Sequence, residues 1–243
     1  MCDQHEHGVN GHSHARIRMS LKSVPVMENI LSANDHLAGH MRRRWGEQGT
    51  LVVNLLSSPG SGKTALLEKT IDRLIGRKRI LVLEGDIETE RDADRVRARG
   101  AEAITITTGG ACHLEANLVE QAFKQAGRGA PWDIIFIENV GNLVCPANYD
   151  LGEHLRVVLL SVPEGDDKPA KYPAAFRSAG LFLVTKTDVL PHFDFDVVRA
   201  TAEARSLRPG IETVALSSKN GNGMDEWLAV LEKQQVGLTP ALA

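Results

Sequence analysis

The sequence contains few cysteines and no long hydrophobic run. Its three cysteines, Cys2, Cys112 and Cys145, are an odd number at wide spacing in 243 residues, which argues against a disulfide-stapled fold. No apolar stretch approaches the roughly 18 residues of a membrane-spanning helix. Residues 1–20 lack the apolar core of a secretory signal. We therefore expect a protein of the reducing cytoplasm that does not act at a membrane.

A strong excess of charge of either sign is also missing. The 28 Lys and Arg residues nearly balance the 31 Asp and Glu residues, for a formal net charge of -3. This balance gives no general attraction for nucleic acid or for an acidic membrane surface, so neither is predicted as a partner. The local basic run of Arg42, Arg43 and Arg44 is predicted to be a solvated helix face.

Residues 1–22 are predicted to be a disordered, histidine-rich tail that binds metal, because their first 20 residues include almost no apolar side chains. A chance bias or the remnant of an expression tag is the alternative, although an ordinary tag is a run of consecutive histidines. Residues 23–243 are predicted to form a single domain with a leading helix at 24–45. The candidate nickel ligands of the tail are Cys2, His5, His7, His12 and His14.

Strand and helix patterns alternate from residue 51 onward. Residues 51–57, LVVNLLS, are apolar and branched, as in a strand that is buried on both faces. The alternation predicts an α/β fold with a mainly parallel, doubly wound sheet of about seven strands and helices on both faces. The predicted strands are 51–57, 79–86, 103–108, 132–139, 156–162, 180–186 and 211–218. The later predicted helices are 63–76, 89–99, 113–127, 195–207 and 223–235.

A glycine-rich loop follows the first strand and opens a helix. Its sequence, SSPGSGKT at residues 57–64, is typical of a P-loop, in which backbone amides and the helix N-terminus hold phosphates. Lys63 would reach the β- and γ-phosphates, and the Thr64 hydroxyl would bind Mg²⁺. Ser57 stands where the usual pattern has glycine, and a purely structural glycine turn is the alternative. The predicted nucleotide contacts here are Pro59, Gly60, Ser61, Gly62, Lys63, Thr64 and Ala65.

Acidic residues end two of the later strands. Asp86 closes the strand 79–86, and Glu138 leads into the sequence Glu138-Asn139-Val140-Gly141. Carboxylates at these ends suit Mg²⁺ and the positioning of an attacking water, and the Gly141 amide would face the γ-phosphate. Lys63, Asp86 and Glu138 are therefore the candidate catalytic residues. The alternative is that each carboxylate only caps the next element.

The sequence TKTD at residues 185–188 resembles the N-K-x-D guanine motif of GTPases. Asp188 would accept hydrogen bonds from guanine groups that adenine lacks, and the Lys186 stem would cover the ring. Thr185 replaces the asparagine of the motif. Ser217, Ser218 and Lys219 lie after the next strand, where a second guanine loop is expected. A helix-capping turn is the alternative for TKTD.

Cys112 and His113 form an isolated pair of possible metal ligands. Thiolate and imidazole together suit a borderline-soft transition metal. Cys112 by itself could equally be a small buried hydrophobic residue. The adjacent His113 and the third cysteine, Cys145, favour a metal site.

Several segments together are similar to the HypB family, the nickel-incorporation GTPases of nickel–iron hydrogenase maturation, which belong to the SIMIBI class of P-loop GTPases. The resemblance runs from about residue 24 to residue 235 and includes NDHLAGHMRRRW in the leading helix. The segments that carry it are SSPGSGKT, EGDIETERDADR, TTGGACHLEA, FIENVGNLVCPANYDLGE, SVPEGDDKPAKYP, TKTDVLPHFDFD and NGNGMDEWL.

This resemblance implies a function and a set of sites. It implies that Cys112, His113 and Cys145 bind Ni²⁺ or Zn²⁺ at a homodimer interface, and that GTP favours the dimer. Lys168, in a proline-punctuated loop, would contribute to the nucleotide site or the dimer contact. The implied cofactors are GTP or GDP, Mg²⁺ and Ni²⁺. The implied partners are a second nickel-insertion protein and the hydrogenase large-subunit precursor.

We therefore expect a slow, metal-regulated GTPase that assists nickel delivery to a hydrogenase. One alternative is the sister class of urease-type nickel GTPases, whose sequence blocks differ. A second is a nickel-storage protein with a vestigial nucleotide site, which the intact GSGKT and the two placed carboxylates disfavour. A third is a small-molecule kinase, which the residues around Asp188 disfavour.

Overall fold

The computed structural model describes residues 24–86, 90–127 and 131–238. The proposed metal-binding residues of the tail, Cys2, His5, His7, His12 and His14, lie outside the described residues. Their role stays a prediction. None of the described helices has the length and apolarity required to cross a bilayer.

Seven parallel strands form one sheet, as predicted. From one edge to the other their order is β3-β2-β4-β1-β5-β6-β7, and every neighbouring pair runs parallel. The chain reverses its direction of winding around β1, so ligands are expected beyond the carboxyl ends of the central strands. The strands are β1 (Leu51–Ser57), β2 (Ile80–Asp86), β3 (Glu102–Thr107), β4 (Ile134–Glu138), β5 (Leu155–Ser161), β6 (Leu181–Thr185) and β7 (Glu212–Ala215).

Helices cover both faces of this sheet, which confirms the doubly wound arrangement. The α-helices are α1 (Val24–Glu47), α2 (Lys63–Leu74), α3 (Arg91–Arg97), α4 (Ala116–Gln125), α5 (Lys168–Lys171), α6 (Pro173–Ser178), α7 (Val197–Leu207) and α8 (Met224–Val236). Alternate residues of β1 point to opposite faces: Val53 packs in the core under α2, α3 and α8, and Val52 packs in the core under α1 and α4. All seven residues of β1 are buried, as its unbroken apolar sequence predicts.

The segment after β5 differs from the prediction of a loop. It forms two short helices, α5 and α6, with a break at Tyr172. Pro169 and Pro173 both lie at the first or second helical position, where a proline costs no hydrogen bond and its fixed φ suits the helix. The prolines therefore start these helices rather than prevent them.

The leading helix α1 is attached to the sheet by polar contacts as well as by its apolar face. The His154 ring accepts from the Val52 amide at 3.0 Å and lies 3.1 Å from the Arg42 carbonyl oxygen. Arg42 pairs with Asp150, and Arg44 pairs with Glu120 at 3.5 Å. The prediction that the arginine run is simply a solvated face is therefore wrong for Arg42 and Arg44, since both are half-buried and pair with residues outside α1, Asp150 in a loop and Glu120 on α4.

Candidate functional site

The loop between β1 and α2 has the backbone form that a phosphate cradle requires. Gly60 and Gly62 have φ values of 76° and 95°, a region that favours glycine because it has no Cβ. Lys63 begins α2, and its Nζ donates to Ser57 Oγ at 2.9 Å. The serine that replaces the glycine of the usual pattern therefore holds the lysine in place.

A buried polar cluster lies directly beneath this loop. Thr64 Oγ1 donates to Glu138 Oε1 at 2.8 Å, while Glu138 Oε2 is buried without a hydrogen-bond partner. Burial raises the pKa of Glu138 to about 7, although Lys63 and Thr64 act in the opposite direction. Burial also lowers the pKa of Lys63. A hydroxyl beside a carboxylate with an unused oxygen fits a hard divalent cation such as Mg²⁺.

Glu84 is a member of this cluster that sequence reasoning missed. It is 2% exposed and lies opposite Glu138 in the register of β2 and β4. Its pKa is raised to about 7, first by burial and then by the charge of Glu138. The sequence did contain a signal for Glu84. It is a carboxylate that follows four apolar residues of the predicted strand, and it lies two residues before Asp86, on the same face of the strand.

An open cavity of about 560 Å³ brings the predicted phosphate-site residues together. Its walls include Asp86, Glu138 and Gly141 from the acidic strand ends. Gly141 packs closely on the loop, because a Cβ added there would lie 2.9 Å from Pro59 Cγ. The loop residues in the wall are Pro59, Gly60, Gly62, Lys63, Thr64 and Ala65.

Ser61 does not line this cavity, although the motif predicts it as a nucleotide contact. It is buried, and its hydroxyl lies 2.7 Å from Glu164 Oε2 and 2.9 Å from the Ser58 carbonyl. Glu164 also accepts from the Ser161 amide at 2.8 Å, in a capping box at the end of β5. Glu164 therefore ties the glycine-rich loop to the segment after β5, and the sequence offered no signal for this long-range contact.

A smaller cavity of about 250 Å³ lies beside the first, between the two predicted guanine loops. Asp188 Oδ1 accepts from Ser217 Oγ at 2.6 Å, which orders the carboxylate between the loops. Ser217 is fully buried, so it positions the Asp188 side chain rather than contacting the base itself. The walls include Gly62, Ala65, Lys186, Asp188, Ser218 and Lys219.

Two side chains in the wall of the smaller cavity also bind to the glycine-rich loop. Thr185 Oγ1 donates to the Ser61 carbonyl at 2.6 Å, and Lys186 Nζ donates to the Gly60 carbonyl at 2.6 Å. Lys186 has a φ of 58°, which is uncommon for a residue with a Cβ. The threonine that departs from the N-K-x-D pattern therefore still anchors its loop.

Lys168 is not part of either cavity in this chain. It begins α5, and its Nζ lies 5.3 Å from the centre of the Tyr172 ring. The predicted contribution of Lys168 to the nucleotide site or to the dimer contact therefore stays a prediction.

The Cys112, His113 and Cys145 side chains come close together without forming a complete metal site in one chain. Cys112 Sγ lies 3.7 Å from His113 Nδ1, and contact with the Cys145 thiol raises the pKa of Cys112. The His113 ring is stacked on Tyr149 at 4.0 Å. Among the described residues, no group of three or more His, Cys, Asp or Glu side chains is arranged to hold a metal.

Comparisons with known proteins identify the family. The model of the CobW/HypB/UreG nucleotide-binding domain matches residues 51–215. The hydrogenase maturation factor HypB of Azotobacter chroococcum mcd 1 is 50% identical over 224 residues, which cover 92% of this chain and 73% of that protein. The chain belongs to the HypB family of hydrogenase maturation factors.

Two further HypB relatives come from Helicobacter pylori. A protein named hydrogenase/urease maturation factor HypB is 44% identical over 221 residues, covering 89% of this chain and 90% of its own length. A solved structure described as HypB in complex with nickel superposes with a TM-score of 0.79 at 42% identity, covering 87% of this chain and 99% of that one. These likenesses confirm the P-loop α/β fold and the membership of the HypB family.

Proposed function

We propose that this chain is a GTPase that couples GTP hydrolysis to the delivery of nickel to a hydrogenase precursor. The observation that carries the proposal is the continuity of residues 138–145. This short segment starts at the buried Glu138 of the phosphate site, packs on Pro59 through Gly141, and ends at Cys145. A change at the phosphates would therefore reach the cysteines over eight residues of chain.

Guanine would be selected in the smaller cavity. Asp188 has one oxygen engaged by Ser217, and the other would accept from guanine. The Lys186 stem would cover the base, while its ammonium group remains on the Gly60 carbonyl. Adenine cannot supply the donors that Asp188 needs, so the carboxylate would disfavour ATP.

Hydrolysis would use the buried cluster under the glycine-rich loop. Mg²⁺, when bound, would neutralise negative charge on the phosphates. Thr64 and Glu138 would hold it together with Asp86. Lys63 would stabilise the phosphate oxygens, and one of the two carboxylates would orient the attacking water. Burial lowers the pKa of Lys63, while nearby carboxylates, Glu138 first, act in the opposite direction, and a bound phosphate would add further negative charge beside this ammonium group.

Nickel would be bound by Cys112, His113 and Cys145 as cargo. One chain offers an incomplete site, and Cys112 is exposed, so a second copy would complete the coordination across a homodimer. Asn142 Nδ2 lies 3.5 Å from the Cys112 carbonyl, which connects the segment after Gly141 to the cysteine loop. Nickel would then pass to a second maturation protein and to the hydrogenase large-subunit precursor.

Delivery to urease is a second candidate function. It is favoured by one observation, the name of the Helicobacter pylori relative, which includes both hydrogenase and urease. The two candidates share the GTPase and nickel chemistry and differ only in the recipient. Transfer of nickel from the loaded chain to each purified apo-enzyme would separate them.

The first test is turnover by the purified chain. We expect Mg²⁺-dependent hydrolysis of GTP but not ATP, and loss of hydrolysis in Lys63→Ala. Lys69→Ala, which alters a half-buried lysine of the same helix, should hydrolyse GTP like the wild type. A wild type that binds GTP but never hydrolyses it, while holding several metal ions, would instead support the storage alternative.

The second test is nickel binding in the two nucleotide states. We expect the nickel affinity to differ between GDP and a non-hydrolysable GTP analogue, and Cys112→Ala to abolish that difference. A Cys2→Ala control separates this site from the tail and should retain the difference. Equal nickel affinity in both nucleotide states would remove the coupling through Cys145 from the proposal.

A further inference from the structure

Arg95 is a cationic residue on the wall of the phosphate cavity that the motifs did not indicate. It lines this cavity together with Lys63, Thr64 and Glu138. The cavity therefore receives a positive charge from α3 in addition to those of Lys63 and Lys186.

Two carboxylates hold the Arg95 guanidinium. Its Nη2 and Nε donate to Glu68 at 2.7 and 3.3 Å, and its Nη1 donates to Asp92 Oδ1 at 2.9 Å. Glu68 follows Thr64 by one turn of α2, so it lies on the same side of the helix as the phosphate-site hydroxyl. Each of the three guanidinium nitrogens thus has a carboxylate partner.

Arg99 repeats this pairing one turn further along the chain, away from the phosphates. It lies 3.3 Å from Asp72 and 3.9 Å from Glu68. The residues Glu68 and Asp72 of α2 therefore face Arg95 and Arg99 in a two-step ladder. Arg99 does not line the phosphate cavity. Packing of α3 on α2 accounts for both ion pairs. It does not account for the position of Arg95 in the wall of the phosphate cavity.

We propose that Arg95 is a second phosphate-binding cation, which exchanges Glu68 and Asp92 for the terminal phosphate of the bound nucleotide and stabilises its charge during hydrolysis. This inference rests on the proposed function, because it requires a nucleoside triphosphate in the cavity. The planar guanidinium matches the oxygens of a phosphate in a bidentate manner. The Arg95 side chain is 46% exposed, and ion pairs at such exposure are weak, so a multiply charged phosphate can replace them.

The test compares the two steps of the ladder in the full-length chain. Single-turnover hydrolysis of Mg²⁺-GTP and the affinities for GDP and for a non-hydrolysable GTP analogue are measured for wild type, Arg95→Ala, Arg95→Lys and Arg99→Ala. We expect Arg95→Ala to slow hydrolysis by about 100-fold, as when one transition-state donor is removed, with GDP affinity unchanged. Arg95→Lys should recover part of the rate, and Arg99→Ala should match the wild type.

Equal rate losses in Arg95→Ala and Arg99→Ala would overturn the inference, since both would then act only by docking α3. If the wild type does not hydrolyse GTP, the proposed function fails rather than this inference. The role of Arg95 is then tested by binding alone, as the affinity for the GTP analogue divided by the affinity for GDP. An unchanged ratio in Arg95→Ala would then refute it. If Arg95→Ala does not fold, the Glu68→Gln variant is measured in its place. Because this variant weakens the ion pair that holds Arg95, it should raise the ratio of analogue affinity to GDP affinity. An unchanged ratio refutes the inference.

Discussion

Individual residues that depart from familiar motifs have clear structural tasks in this chain. Ser57 replaces a glycine of the phosphate-loop pattern and accepts a hydrogen bond from Lys63. Thr185 replaces the asparagine of the guanine motif and donates to the Ser61 carbonyl. In both cases a small hydroxyl side chain joins two segments of the nucleotide site, so the departures do not indicate a vestigial site.

At Thr185, replacement by valine should weaken nucleotide binding without changing base preference. The valine keeps the branched shape in the buried end of β6 but leaves the Ser61 carbonyl without its donor, which costs about 1–3 kcal/mol. Calorimetry should therefore give lower affinity for GDP, with an unchanged ratio of GDP to ADP affinity because Asp188 is intact. Thr185→Ser retains the hydroxyl and serves as the control; wild-type affinity in Thr185→Val would contradict the proposed anchoring.

At the scale of elements, the segment 138–145 connects the phosphate loop to Cys145, and its closest packing is at Gly141. Gly141 has no positive φ, so an alanine is tolerated by the backbone there. Its added Cβ would nevertheless lie 2.9 Å from Pro59 Cγ and 3.1 Å from two Pro59 backbone atoms, and backbone atoms cannot move aside as a flexible side chain can.

Gly141→Ala should therefore displace this segment from the phosphate loop. We expect a loss of about 1–3 kcal/mol in the free energy of unfolding, as for an overpacked site, together with weaker binding of the GTP analogue. Gly39→Ala, whose added Cβ would have its nearest contact at 3.8 Å, is the matched control and should be tolerated. Urea unfolding and analogue titration measure both effects, and equal behaviour of the two variants would argue against the close contact.

The attachment of α1 should depend on pH through His154. Burial lowers the pKa of His154 from its usual 6.5. Its Nδ1 accepts a hydrogen bond from the Val52 amide, so the ring is neutral in this arrangement. The unfolded chain then binds the proton first as the pH falls. The stabilisation is present above pH 6.5 and is lost as the pH falls from 6.5 through the lowered folded pKa.

Urea unfolding between pH 8 and pH 5 should accordingly give a smaller loss of stability in His154→Gln than in the wild type. The amide of glutamine can accept and donate as the neutral ring does, but it does not titrate. His192→Gln alters an exposed histidine and should leave the wild-type slope. An identical slope in all three proteins would show that His154 does not govern this pH response.

At the scale of the whole molecule, the surface around the cysteines is the expected contact between two copies. Val144 is 56% exposed next to Cys145, and Cys112 is exposed as well. The opposite end of the sheet also has an exposed valine, Val236 at 74%, next to Gln235, which contacts Asp133 before β4. This second valine provides a comparison far from the cysteines.

Val144→Asp should therefore reduce dimer formation in the presence of the GTP analogue. A charge buried at an interface is costly unless it is paired, so the dimer fraction measured by light scattering should fall. The matched Val236→Asp variant should dimerise like the wild type. If neither substitution alters the dimer fraction, or if the wild type stays monomeric with the analogue, the cysteine face is not the interface.

Local sequence patterns were sufficient for the fold class and for much of the candidate site. Seven sequence segments predicted the seven strands, and the signal was clearest for central strands such as β1 and β4, because burial on both faces requires continuous apolar residues. The phosphate and guanine sites could be predicted from the glycine-rich loop and TKTD because the functional residues of each motif lie within a few consecutive positions. The segment after β5 was misread because prolines can begin helices as well as interrupt them.

Contacts between distant segments depended on the tertiary structure. Glu84 faces Glu138 only because β2 and β4 pair in one register, and Glu164 reaches Ser61 only because β5 lies beside β1. Arg95 enters the phosphate cavity because α3 packs on α2. The sequence by itself determined the strands, the phosphate loop and the base motif, since these follow from local periodicity and spacing. Strand order and register decided which charges share a cavity, because Glu84 and Glu138, which are 54 positions apart in the sequence, meet only after the sheet has formed.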